Sequence, residues 1–385
     1  MIKQIQPFVG KEEAQAAYDA VINSYLSEGI KTKEYEDRIK EYTGYKYALA
    51  VSNWTDGLIL CVETLKRKHE KLFGRKLKNI IVPNLTFVAS FNAPYFCQVK
   101  PLVVDVDYET GQLDPNHCEK ILKKHKDISS IMLVDLYGSC PDLDAFNELS
   151  KKYNVSIIED AAQAMGVLYK GKHVGAYCEN SVGGFSLYAN KMQTCGEGGV
   201  FVTNNEELYE LANKLKQHGG KKGSFDNEEI GFNFRMDDIR SSIAIEQLKK
   251  LDKILDIKKE INDFYREIYN DIKESVDYIN IFPKQNKDIK QNYWFSNIRF
   301  PQWTFMEPYD GINIQKFLTK NDVETRRFFT PLSLQQCYKN KKDSFIDDYT
   351  NSEKLYRTCL SMPSHADLTI KDLYHIRKQL WDFLV

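Results

Sequence analysis

Residues 131–160 read IMLVDLYGSCPDLDAFNELSKKYNVSIIED, and this stretch decides the fold. It contains two apolar, β-branched runs, Ile131–Leu136 and Val155–Glu159, with a helical stretch, Asp142–Tyr153, between them. Continuous apolar runs of this length suit strands buried on both faces, as in a parallel sheet covered by helices. Strand, helix, strand is a βαβ unit, so the segment predicts an α/β protein.

Working outward, the same logic repeats. Lys78–Pro83 (KNIIVP) and Pro101–Val106 (PLVVDV) are further runs upstream, and Ser181–Leu187 and Gly199–Thr203 add strands downstream. A short run, Tyr47–Val51, precedes a predicted helix over Leu58–Lys68, and an N-terminal helix is expected over about Lys11–Ser27. A long helical pattern starts near Met236 and continues through Ile243, Leu248, Leu251, Leu255 and Ile261. Beyond it the elements shorten: Tyr293–Phe300 (YWFSNIRF), a polar helix near Gly311–Asn321, then Val323–Phe329. The expected organisation is a large, mostly parallel mixed-sheet domain over residues 1–250 and a smaller C-terminal α+β domain over 251–385. The N-terminal helix is expected to pack elsewhere, back onto the C-terminal region. There is no internal repeat and no low-complexity linker.

Bulk properties narrow the function. A chain of 385 residues with 42% hydrophobic content can bury a large core. The formal net charge is -1, so no global basic field points to nucleic acid or an anionic membrane. The eight cysteines form no CxxC pair, and no Cys/His cluster has zinc-ligand spacing, so no metal site is expected. No secretory segment opens the chain and no 18-residue apolar run appears. The expectation is a reduced, cytoplasmic, soluble protein whose thiols are mostly buried.

The quoted segment also ends in chemistry. Ile157-Ile158-Glu159-Asp160-Ala161-Ala162-Gln163 places a carboxylate at the end of a predicted central strand, the edge where open α/β sheets bind ligands. About 30 residues on, Gly184-Phe185-Ser186-Leu187-Tyr188-Ala189-Asn190-Lys191 ends in a lysine, followed by Gly196-Glu197-Gly198-Gly199. A carboxylate and a lysine are what pyridoxal 5'-phosphate (PLP) requires. The carboxylate Asp160 keeps the pyridine nitrogen protonated, and Lys191 forms the Schiff base. Read singly, Asp160 and Gln163 are also ordinary helix-start residues, and Lys191 is also an ordinary loop lysine. Gln163 is placed to meet the ring's phenolic oxygen. The turn Ser52-Asn53-Trp54-Thr55-Asp56-Gly57 before a helix fits a phosphate site, with Thr55 and the amide of Asp56 as donors and Ser186 as a further hydroxyl. Plain helix capping explains such a turn equally. Phe87 reads either as a ring stacked on the pyridine or as a core aromatic.

Seven stretches together resemble the DegT/DnrJ/EryC1/StrS family of nucleotide-sugar aminotransferases, of PLP fold type I, the aspartate aminotransferase-like fold. They are SNWTDGL (52–58), NLTFVASFNA (84–93), VDLYG (134–138), IIEDAAQAMG (157–166), FSLYANKMQTCGEGG (185–199), GFNFRMDDIRSSIAIEQLKKLD (231–252) and MPSHADLT (362–369). The resemblance implies a homodimer with shared active sites, in which Asn233 reaches the cofactor phosphate of the neighbouring subunit. It makes Tyr188, Arg235 and Arg327 candidates for substrate contacts. Many relatives carry glycine where Trp54 stands, so an indole there narrows the cofactor turn or contacts a neighbour. Tyr188 and the Ala189-Asn190-Lys191 sequence resemble the perosamine and viosamine synthase branch. Related 3-dehydratases replace the Schiff-base lysine with histidine, so Lys191 argues for transamination. The implied reaction passes an amino group from L-glutamate, leaving 2-oxoglutarate and pyridoxamine 5'-phosphate, to a UDP-, dTDP- or GDP-linked 4-keto-6-deoxyhexose. A 3-keto sugar, a dehydration, or a non-catalytic regulator are the alternative readings.

Overall fold

The apolar runs become strands with almost no exposed residue. The structure, a computed structural model, describes residues 1–24, 26–74, 77–220, 226–276, 279–301 and 311–385. The large sheet is built from β1 (Tyr47–Val51), β2 (Asn79–Pro83), β3 (Lys100–Val104), β4 (Ile128–Val134) and β5 (Ser156–Asp160). After a hairpin of β6 (Leu168–Tyr169) and β7 (Lys172–His173), β8 (Val182–Ser186) and β9 (Gly199–Thr203) complete it. Its order is β1-β9-β8-β5-β4-β2-β3. Only β9 runs against its neighbours; the pairs from β8 to β3 are parallel.

The helices α2 (Ile30–Thr43), α3 (Trp54–Phe73), α4 (Ala89–Phe96), α5 (Pro115–Lys124), α6 (Leu143–Tyr153) and α7 (Glu206–Lys216) belong to the large unit with this sheet, preceded by α1 (Lys11–Asn23). Their starts follow local chemistry. Asp142 caps α6 by accepting from the Ala145 amide, and α6 buries Leu143, Phe146 and Leu149. Asn154 then ends it in the left-handed region, at φ 51°.

The second unit is organised by α8 (Asp238–Ile272). Around it lie β10 (Asn280–Phe282), β11 (Ile289–Lys290), β12 (Ser296–Arg299), α9 (Gly311–Lys320), β13 (Arg326–Arg327), α10 (Thr350–Thr358), β14 (Cys359–Met362) and α11 (Ile370–Leu384). Strands β10, β12, β14 and β13 form an antiparallel sheet, while β11 joins the β6–β7 hairpin. The apolar core divides within α8. Leu251 and Ile254 belong to the core of the large sheet, and Ile261, Tyr265, Ile268 and Ile272 to that of the small one. Residue 250, the expected boundary, therefore falls inside a continuous helix. Helix α1 ends at Asn23 rather than near Ser27. It packs on α8, with Gln247 Nε2 donating to Glu13 Oε1 at 2.8 Å. The first residues reach the small unit, where the Ile2 amide donates to Asp322 O at 2.6 Å.

All eight cysteines are free, and seven are buried. No helix among the described residues is long and apolar enough to cross a membrane.

Candidate active site

The C-terminal ends of the parallel strands converge on one cavity of about 430 Å³. Asp160 is the last residue of β5 and Ser186 the last of β8; Thr86 and Phe87 follow β2, and Trp54 and Thr55 begin α3. Gln163, Tyr188 and Lys191 line the same space, with Trp294 and Phe329 arriving from the C-terminal part of the chain. A larger concavity of about 810 Å³ between α1, α2 and α8 is lined by Lys11, Glu12, Asp19 and Lys31. It has neither a buried carboxylate facing an amine nor a wall of aromatic rings. Chemistry therefore favours the smaller cavity.

Asp160 is 4% exposed. Its Oδ1 accepts from Trp54 Nε1 at 2.8 Å and from the Ala162 amide at 3.3 Å, and its Oδ2 from Ser90 Oγ at 2.8 Å. Burial pushes its pKa up, against these donors and the nearby charge of Lys191, which favour the ionised form.

Lys191 stands on the loop between β8 and β9, in a turn closed by its amide donating to Tyr188 O at 2.9 Å. The side chain is partly open to the cavity, while its ammonium end is enclosed and lies 4.1 Å from the Trp294 ring centre. Burial lowers its pKa to about 7, opposed by the charge of Asp160. A lysine so placed is a nucleophile and proton carrier at neutral pH. Trp294 is fixed in turn, its Nε1 donating to Asn190 O at 2.7 Å.

Gln163 accepts from the Tyr137 amide through Oε1 at 2.7 Å, so its amide nitrogen is the end offered to a ligand. Thr55 and Ser186 contribute hydroxyls, and Phe87, 55% exposed, contributes a ring 5.8 Å from that of Phe329. An amine, a buried carboxylate, an amide, two hydroxyls and flanking rings in one cavity suit a flat, phosphorylated, pyridine-type aldehyde, so these residues fit PLP. Asn190 Oδ1 is buried there without a hydrogen-bond partner, an acceptor suited to a ligand donor.

Asp56, Arg235 and Arg327 do not join this cavity, and Asn233, expected at the phosphate of a neighbouring subunit, stands outside its own. Asp56 turns away: its carboxylate accepts from Ser52 Oγ and from Asn53 Nδ2, and its amide donates to Asn53 Oδ1 at 2.9 Å, an ordinary N-cap. The amide expected at a phosphate is thus already paired. Asn233 is exposed and accepts from Arg235 Nε at 2.9 Å, so both lie together outside the cavity. Arg327 sits in the edge strand β13, its guanidinium 5.9 Å from the Tyr356 ring centre. Conversely, sequence reasoning missed Ser90, Asn190 and Trp294. Only a contact map would have found them, because their partners are far away in the chain.

A model described as the DegT/DnrJ/EryC1/StrS aminotransferase family matches residues 7–380. The chain is 29% identical over 398 residues to the UDP-4-amino-4,6-dideoxy-N-acetyl-beta-L-altrosamine transaminase of Campylobacter jejuni subsp. jejuni serotype O:23/36, covering 100% of this chain and 98% of that one. It is 30% identical over 381 residues to the GDP-perosamine synthase of Escherichia coli O157:H7, covering 98% and 97%. A solved Helicobacter pylori aminotransferase involved in the biosynthesis of pseudoaminic acid superposes with a TM-score of 0.89 at 25% identity, over 100% of this chain and 99% of that chain.

Proposed function

The chain belongs to the DegT/DnrJ/EryC1/StrS aminotransferase family, and on that premise we propose that it transfers the amino group of L-glutamate to C4 of a nucleotide-linked 4-keto-6-deoxyhexose. It is a PLP-dependent sugar aminotransferase. The observation that carries the residue-level reading is the pairing of buried Asp160 with the lowered-pKa amine of Lys191 across one cavity. The C4 position and the 6-deoxyhexose rest on the resemblance of the Tyr188–Lys191 stretch to the perosamine and viosamine branch.

When bound, PLP supplies an electron sink for the negative charge that develops at Cα of the amino donor. Lys191 Nζ is the amine that would hold the aldehyde carbon. Asp160 would accept a hydrogen bond from the pyridine N–H, and Gln163 would donate to the phenolic oxygen. Thr55 and Ser186 would take the phosphate, with Phe87 against the ring face. Trp294 and Phe329 close the cavity wall and limit water at the reacting carbons. In the first half-reaction Lys191 removes the proton from Cα of L-glutamate. In the second it delivers a proton to C4 of the sugar. A pKa of about 7 lets one amine serve as base and acid near neutral pH.

A homodimer with shared sites follows from the same reading. Asn233 is exposed and outside its own cavity, which supports a role at the phosphate of a second copy.

The test is the first half-reaction alone. PLP-loaded protein given only L-glutamate is expected to release one equivalent of 2-oxoglutarate per chain, and Lys191→Ala none. No release from wild type holding PLP, or equal release from Lys191→Ala, would overturn the assignment.

A further inference from the structure

Trp54 is the first residue of α3, and its indole lies in the cavity wall with only 5% exposure. Its Nε1 donates to Asp160 Oδ1 at 2.8 Å, a contact between residues 106 positions apart. With Ser90 Oγ on Oδ2 and the Ala162 amide on Oδ1, three donors, from α3, α4 and the turn after β5, hold this carboxylate. An ionised carboxylate offers about four lone-pair directions, so a single one remains for a ligand. The three donors thus favour the ionised form of Asp160 against its burial and set the direction in which it accepts.

The chain keeps room for the indole. A Cβ on Gly57 would lie 2.3 Å from Trp54 Cε3, and one on Gly184 would lie 2.8 Å from Cη2. Gly57, on α3, is the glycine whose bareness the indole requires; at Gly184, on β8, the Val200 carbonyl oxygen at 1.8 Å and a φ of 150° already exclude a side chain. A buried indole N–H needs an acceptor in any case. Here the acceptor is the carboxylate opposite Lys191, so satisfying the donor and fixing Asp160 are one contact.

We propose that Trp54 is a positioning residue whose indole N–H holds Asp160 ionised and aimed at the pyridine nitrogen of PLP. The proposal rests on the reading of Asp160 given above. It requires that the effect of Trp54 pass through that nitrogen, which a purely packing role would not.

The experiment compares the affinity of the apoprotein for PLP and for its 1-deaza analogue, in which CH replaces the pyridine nitrogen. Binding is followed by absorbance titration. Trp54→Phe keeps the ring and deletes the donor. It is expected to weaken PLP about tenfold, about 1.4 kcal/mol, and to leave the deaza analogue within about twofold of wild type. Trp54→Leu, smaller and also without a donor, is the second variant and should show the same selectivity. Equal weakening of both ligands, or unchanged PLP affinity, in whichever variant folds would overturn the proposal. Asp160→Asn separates the two claims. It should weaken PLP at least as much as Trp54→Phe does. If it binds PLP as wild type does, the assignment of Asp160 falls, and the role of Trp54 falls with it.

Discussion

The lowered pKa of Lys191 is the property from which the chemistry starts, and it is open to direct titration. An ordinary lysine at 10.5 is neutral in only about 0.03% of molecules at pH 7. At a pKa of about 7, about half of the Lys191 side chains carry a free lone pair. The gain in neutral amine is on the order of a thousandfold. Its cause is burial, with Asp160 pulling the other way. The apoprotein can be reductively methylated with ¹³C-formaldehyde, and the dimethyl-lysine resonances followed from pH 5 to 11. The resonance missing in Lys191→Ala should titrate near pH 7. In Asp160→Asn the opposing negative charge is gone, so the same resonance should titrate lower still. A midpoint near 10, or an upward shift in Asp160→Asn, would refute the electrostatic argument.

Other consequences follow from the same geometry. Asp160→Asn should cut the rate of glutamate-to-keto-sugar transfer by tenfold to a hundredfold, about 1.5–3 kcal/mol for a hydrogen bond to a charged group, with the far-UV circular dichroism unchanged. Gly57→Ala places a methyl 2.3 Å from Trp54 Cε3, so a urea melt should show a loss of about 1–3 kcal/mol from overpacking. In a Trp54→Ala background that clash is absent. The same substitution should there be neutral or stabilising, by up to about 1 kcal/mol from helix propensity. Lys258 is buried with its Nζ on Trp294 O at 2.9 Å, and burial lowers its pKa to about 7 from the ordinary 10.5. The unfolded chain then holds more protons between those values, so this group makes the apoprotein more stable as pH rises from about 7 to 10. Lys258→Met should flatten that slope by up to about 1.4 kcal/mol per pH unit, read from denaturant melts at several pH values.

The strands were legible because burial on both faces leaves an unbroken apolar run; Gly199–Thr203 is a strand at its expected bounds. Asp160, Lys191, Gln163 and Ser186 were legible because each stands at the end of such a run or in the turn after it. Helix α3 was misread at its start, which lies at Trp54 rather than Leu58. Asn53 caps it and takes the Asp56 amide, the same amide expected at the phosphate. Trp294 was illegible for another reason. Its indole reaches Asn190 from 104 residues away, and periodicity carries no such information. Arg235 and Arg327 came from the family resemblance, and both stand outside this cavity, Arg235 donating to Asn233 and Arg327 lying beside the Tyr356 ring.

The most direct test of amino transfer uses PLP-loaded protein, ¹⁵N-labelled L-glutamate and a panel of GDP-, dTDP- and UDP-linked 4-keto-6-deoxy sugars with 3-keto isomers alongside. Products are read by mass spectrometry and NMR. The expected result is ¹⁵N bonded to C4 of one 4-keto sugar, with 2-oxoglutarate formed in equal amount. Labelled nitrogen at C3, or ammonium released with no aminated sugar while PLP stays bound through Lys191, would contradict it.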